Sequence, residues 1–132
     1  MANIKNMKMA DVLFANPNIE IKKAYYGLKT IVTYKPTKSP VAAYQLEFAP
    51  EYANKLADLL RTPDDKIEEV AKKLGELTNT PNGNVRLEVC VSKDKQFVAA
   101  QLLQFRDFDY HAVSEVRIIE GELAATLANL FV

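Results

Sequence analysis

The sequence predicts an α+β protein built from two β-β-β-α units, with antiparallel sheets backed by helices and a pseudo-two-fold axis between the units. Three observations carry that reading. Apolar residues alternate with polar ones in several runs on both sides of residue 62, the period of a half-buried strand. Each set of strands leads into an amphipathic helix, "APEYANKLADLL" at 49–60 and "EGELAATLANLF" at 120–131. The two helices also match: Glu51, Ala53, Leu56, Ala57 and Leu59 recur as Glu122, Ala124, Leu127, Ala128 and Leu130, a constant offset of 71. A single domain is expected over residues 1–132, with repeat one at 18–61, a helical linker at 62–83 and repeat two at 84–132.

Taken in order, "MKMADVLF" at 7–14 reads as a short helix or arm, ended by Asn16-Pro17. Ile19 and Ile21 alternate with Glu20 and Lys22, Gly27 marks a turn, and "LKTIVTY" is rich in β-branched residues, so a hairpin is expected. "KPTKSP" is a polar loop. "VAAYQLEF" is a third strand that puts Tyr44, Leu46 and Phe48 on one face. Pro50 suits a first helical turn, and Tyr52, Leu56, Leu59 and Leu60 form an apolar stripe. A second helix follows at 63–77, with Thr62 as its N-cap, acids in its first turn and Ile67, Val70 and Leu74 buried. "TNTPNGN" breaks it. The second half offers "NVRLEVCV", a turn at "SKDK", the strand "QFVAAQLLQF", a turn at "RDFD", a strand through "YHAVSEVRII" and the last helix. One β-β-β-α unit leaves a sheet covered by a single helix; two units packed together bury a continuous core.

Composition narrows the function. The chain is 48% hydrophobic and 26% charged, the balance of a globular protein. The single cysteine, Cys90, excludes an internal disulfide and a cysteine-cluster metal site, and it reads as a strand thiol. No run is long enough for a transmembrane helix and no signal peptide is evident, so the expected location is the cytoplasm, or a host cytoplasm if the gene is viral. Formal net charge is zero, which argues against a strongly basic nucleic-acid binder. The charge is uneven, however: residues 1–61 hold nine Lys/Arg against five Asp/Glu.

The stretch "YQLEFAPEYANKLADLL" resembles the signature of the transcriptional positive cofactor 4 family: a short apolar-polar-apolar strand end, Pro-Glu, then an aromatic-containing helix with leucine spacing. The hairpin "IEIKKAYYGLKTIVTYK" is similar to that family's basic first hairpin. A sheet-plus-helix unit repeated in one chain is similar to the Whirly proteins and the purine-rich-element-binding domains. The resemblance implies single-stranded nucleic-acid binding in support of transcription, replication or recombination. The chain departs from it in having no strong basic charge, a helix between the units and no lysine- or serine-rich tail.

Binding a single strand takes cations for phosphates and aromatic faces for bases. Lys22, Lys23, Lys29, Lys35 and Lys38 stand close in sequence to Tyr25, Tyr26 and Tyr34, and only Glu20 opposes them between residues 18 and 40. Phe97, Arg106, Phe108 and Tyr110 form a weaker matching set in the second half, opposed by Asp107 and Asp109. The expected partner is single-stranded DNA or RNA, with DNA the first choice, and no membrane. Enzyme chemistry finds little support. His111 is the sole histidine, with Asp109 two residues away to orient it. The acids at 64–69 read as helix N-terminal groups, no phosphate-binding glycine loop is present, and no catalytic residue, metal or cofactor is expected. A second reading stays open: a structural or adaptor subunit of a viral or bacterial assembly. It would form homo- or hetero-oligomer contacts through its sheet, the apolar "FVAAQLLQF" and a C-terminus ending in Phe131 and Val132.

Overall fold

A computed structural model describes residues 8–74 and 83–131. A short helix α1 (Met9–Ala15) leads into strands β1 (Ile19–Ala24), β2 (Lys29–Tyr34) and β3 (Ser39–Phe48). Helices α2 (Ala53–Arg61) and α3 (Ile67–Leu74) follow. Then come β4 (Val85–Ser92), β5 (Phe97–Arg106), β6 (Asp109–Ala112), β7 (Arg117–Glu120) and α4 (Glu122–Phe131). The expected mixed α+β class holds. The strands join into one curled antiparallel sheet in the order β1-β2-β3-β4-β5-β6, with β7 beside β6 on the same edge of β5.

The strand expected at 110–119 divides into two. β6 pairs with the far half of β5 and β7 with its near half, so one neighbour of β5 is supplied in two pieces. Between them Ser114 turns inward: its hydroxyl accepts the Leu102 N–H at 2.9 Å, and its carbonyl accepts the Gln101 side-chain amide at 3.2 Å. The last stretch of the linker, 75–82, lies outside the described residues.

Cross-strand register sorts the side chains. Leu46, Leu87 and Leu102 lie on one face with α2, α3 and α4 against it. The matched positions Leu56 and Leu127 are both fully buried in that core, and Ala53, Ala57, Ala124 and Ala128 pack into the same layer. Phe131 is buried there too and Leu130 is half-buried, while Val132 lies outside the described residues. Of "FVAAQLLQF", Phe97 through Leu102 are buried in the middle of the sheet, Leu103 and Gln104 are half-buried and Phe105 is exposed.

Pro50 begins a 3-10 turn (Pro50–Tyr52) that runs into α2, as a proline with no N–H to satisfy permits. Thr62 is not the N-cap of α3. It closes α2 instead, its hydroxyl donating to the Asp58 carbonyl at 2.6 Å, and a second 3-10 turn (Asp64–Lys66) opens α3. Arg117 ties this corner to β7 by donating to the carbonyls of Leu60 at 3.1 Å and Thr62 at 2.5 Å and by pairing with Asp64.

The opposite face of the sheet carries a second, smaller core. Met9 and Leu13 of α1 and Ile19 and Tyr34 of the first hairpin pack on Cys90, Phe97 and Ala99. To reach them the hairpin leaves β3 early: β2 pairs with β3 only at Thr33–Pro40 and Tyr34–Ser39, then folds across the sheet. Among the described residues, no helix is long and apolar enough to cross a membrane.

Candidate functional site

The first hairpin has two unlike faces. Ile19, Tyr34, Ile21 and Val32 point toward the small core, with Lys23 and Thr30 beyond them on the same side. The Lys23 ammonium donates to the Thr30 hydroxyl at 2.9 Å. Glu20, Lys22, Ile31 and Lys29 occupy the outer face. The one acid there is already engaged, since Lys22 pairs with Glu20 at 3.1 Å.

At its tip the chain turns through Tyr25, Tyr26 and Gly27 with φ of 54°, 57° and 85°. The Leu28 N–H donates to the Tyr25 carbonyl at 3.1 Å to close the turn. Glycine takes this left-handed backbone freely, but a tyrosine pays about 1–2 kcal/mol for it. The two tyrosines gain little packing in exchange. Tyr26 is 105% exposed, Leu28 89% and Tyr25 69%. The Lys29 ammonium lies over the Tyr25 ring, 5.9 Å from its centre. The tip therefore gathers Tyr25, Tyr26, Lys22, Lys23 and Lys29 around an apolar, strained and solvent-facing turn.

Lys35 and Lys38 are exposed in the loop at the other end of the hairpin, separated from the tip by the length of β2. That length is six residues, roughly 20 Å. Lys38 is also left-handed, at φ 55°. The β4–β5 turn packs against this loop: the Lys93 N–H donates to the Pro40 carbonyl at 2.8 Å, and the Asp94 N–H to the Ser39 hydroxyl at 3.0 Å. Burial pushes the Asp94 carboxyl up, but hydrogen bonds from Ser92, Thr37, the Gln96 N–H and Ser39 outweigh it and hold the group below the ordinary carboxylate range. Asp94 is thus a structural clasp, and its presence in the basic turn has a cause. Lys93 joins Lys35 and Lys38 at this end, whereas the Lys95 ammonium is turned to α4 and donates to the Asn129 side chain at 2.5 Å; "SKDK" signals a turn but not which loop it meets. A shallow depression of about 350 Å³ lies beside them, lined by Ala42, Tyr44, Lys93 and Lys95 among others.

Two expected stacking residues are core residues. Tyr34 is 6% exposed, its ring 5.4 Å from that of Phe97, and Phe97 is 0% exposed. Alternation explains both, because each sits at an inward position of its strand on the small core, so neither can offer a face to a base. Burial, and then the carboxylate of Glu120, push the Tyr34 hydroxyl above its ordinary pKa.

The second set does not assemble around Phe97 either. Tyr110 is occupied: the Arg86 guanidinium stacks 3.8 Å from its ring centre, and Phe105 meets it edge-on at 5.2 Å. Arg106 is exposed at the far end of β5, nine residues from Phe97. Beside it Asp107 and Phe108 form a two-residue turn with φ of 54° and 64°, and Phe108 is 97% exposed. A second aromatic thus stands at a strained tip, this one among acids.

The His111 Nε2–H donates to the Arg106 carbonyl, 3.0 Å away, and the Asp109 carboxylate accepts the Tyr110 N–H at 2.8 Å, so each is tied to the backbone of its own hairpin. Burial, with Glu88 nearby, pushes the Cys90 thiol up to about 11. Among the described residues, no group of three or more His, Cys, Asp and Glu side chains is arranged to hold a metal ion. No protein-family model, no curated protein and no solved structure matches this chain.

Proposed function

We propose that the chain binds single-stranded nucleic acid, DNA or RNA, through the first hairpin and the lysines at its base. The observation that carries the reading is the tip itself. Tyr25 and Tyr26 are held in an unfavourable backbone, facing water, with three lysines within a few residues. Aromatic faces stack on bases with little sequence preference, and lysines supply phosphate contacts. Lys35, Lys38 and Lys93 extend the basic surface past the hairpin, and Arg106 with Phe108 forms a separate, weaker patch. Tyr34 and Phe97 take no part.

The reading includes a structural duplication. Leu56 with Leu127 and Ala57 with Ala128 enter one core from two helices on the same face, which supports repeat units related by a pseudo-two-fold axis. The second unit then differs in splitting its third strand into β6 and β7.

The test is a fluorescence-anisotropy titration with a labelled single strand at two salt concentrations, alongside duplex DNA. Selective binding that weakens with salt is expected. Replacing Lys22 and Lys29 by alanine should lower affinity and reduce the log–log salt slope by roughly 1.4, about 0.7 per lost phosphate contact. Absence of binding at low salt refutes the reading. The adaptor reading loses the burial arguments for Phe97–Leu102 and Phe131.

A further inference from the structure

Tyr44 is an aromatic that the helices leave open. Alternation sets Tyr44, Leu46 and Phe48 on the helix-side face of β3. Burial falls off along that row: Phe48 is buried, Leu46 is half-buried against the same core, and Tyr44 is 41% exposed. The helical layer therefore stops short of Tyr44. At the edge, the first hairpin turns away from β3 after its first residues, and positions 42–45 are exposed. Among the described residues, the rings of Tyr25, Tyr34, Tyr52 and Tyr110 each meet another ring or a cation, whereas those of Tyr26 and Tyr44 meet neither.

The depression beside Tyr44 has the make-up of a site for one flat ring. Its volume of about 350 Å³ is at the small end of ligand sites. Ala42, Tyr44 and Val91 share one face of the sheet and line it, and Pro40 lines its end toward the β2–β3 loop. Lys93 lines it as well and makes no ion pair among the described residues. Lys35 and Lys38 stand in the loop that packs on the Lys93 turn. The acid of that turn, Asp94, is turned to Ser92 and the loop and is not among the lining residues.

We infer that this depression is a base-binding subsite: one unpaired base of a single strand stacks on the Tyr44 ring over Ala42 and Val91, while the neighbouring phosphates lie along Lys93, Lys38 and Lys35. The inference rests on the single-strand reading and extends it to the sheet face opposite the hairpin. The topology makes the loop lysines a junction. β2 leads from them to the tip, and β3 leads to Tyr44, five residues or roughly 17 Å past Ser39. A strand held at Lys35 and Lys38 thus has an aromatic on either side, Tyr25 and Tyr26 along β2 and Tyr44 along β3. A duplex has no unpaired base to offer the depression, so the subsite also selects for single strands.

An anisotropy titration of the full chain at low salt, with labelled single-stranded DNA of about 16 nucleotides, tests it. Wild type is compared with Tyr44→Leu, Tyr44→Phe and Tyr26→Asn. Tyr44→Leu keeps an apolar side chain but removes the ring, and should weaken binding roughly five- to 150-fold. Tyr44→Phe keeps the ring and should bind as wild type does. Should Tyr44→Leu lose its fold, nitration of wild type by tetranitromethane replaces it: bound oligonucleotide should shield Tyr44. Wild-type affinity in Tyr44→Leu, equal losses in both Tyr44 variants, or nitration of Tyr44 unchanged by oligonucleotide overturns the subsite. If Tyr26→Asn is weakened in the same experiment, the single-strand reading survives that failure with the tip as its aromatic surface. Wild type that binds no single strand overturns the reading itself, and the subsite with it.

Discussion

Replacing Tyr26 by asparagine should stabilise the protein while weakening the single-strand binding proposed for it. Tyr26 holds φ at 57° beside Gly27 at 85°, the backbone of a type I′ turn, and its side chain is wholly exposed. An L-residue in that region costs about 1–2 kcal/mol, which asparagine partly escapes through local hydrogen bonding. Asn-Gly is also the pair that type I′ turns prefer. With little packing to lose, the net gain should be about 0.5–1 kcal/mol. In a domain of this size that corresponds to a rise in Tm of roughly 2–4 °C. The assay is urea unfolding, in which the midpoint should rise with the slope unchanged. On the binding side, loss of one stacking ring should cost about 1–3 kcal/mol, or roughly five- to 150-fold in Kd. A variant less stable than wild type would mean that the ring packs on something and the tip is structural. A variant that gains stability but keeps its affinity would remove the tip from the binding surface.

Three further outcomes follow from the cores and the clasp. Phe97→Ala should cost about 3–5 kcal/mol in denaturant unfolding, and any protein that remains folded should bind oligonucleotide as wild type does, because the ring faces the small core. Cys90 should resist a thiol reagent until the protein unfolds. Its folded pKa is raised from 9.0 to about 11, so the stability it contributes is complete below pH 9 and lost as pH rises through about 11. Cys90→Ala should therefore show a shallower alkaline decline in unfolding free energy. Asp94 has a depressed folded pKa, so its contribution is present above the unfolded carboxyl pKa near 3.8 and disappears as pH falls through the folded one. Asp94→Asn should accordingly be destabilised at pH 7, with the gap to wild type closing in acid, measured by urea unfolding at both pH values.

The sequence made the elements legible and left their assembly obscure. Alternation located β1 to β5, and helical spacing located α2 and α4, because each pattern records a face turned toward a core. The patterns do not record which core. Tyr34 lies on a period-two run beside lysines, and nothing local distinguishes a ring aimed at a base from one aimed at Phe97, 63 residues away in the chain. Thr62 fits an N-cap by spacing, yet its hydroxyl is taken by the carbonyl of Asp58, one turn back. The tip was the most readable part of the site, since Tyr-Tyr-Gly between two strands forces the rings to a turn. Lys93 was legible only as part of a turn, because its proximity to Lys35 and Lys38 depends on the pairing of β3 with β4. The open edge of β3 depends in the same way on where the first hairpin goes.

Zero net charge does not cancel the field at the hairpin. Residues 18–40 carry a net +4 and the balancing −4 is spread over the rest of the chain; α2, α3 and the turn between them hold five acids, Asp58, Asp64, Asp65, Glu68 and Glu69, against five cations, Lys55, Arg61, Lys66, Lys72 and Lys73. Those helices cover one face of the sheet, and the hairpin is folded onto the other. A sheet layer with packed side chains separates the two by about 10 Å or more. The Debye length at 0.1 M salt is also about 10 Å, so the acids are already attenuated at the tip, whereas a phosphate bound as proposed would touch the lysines directly.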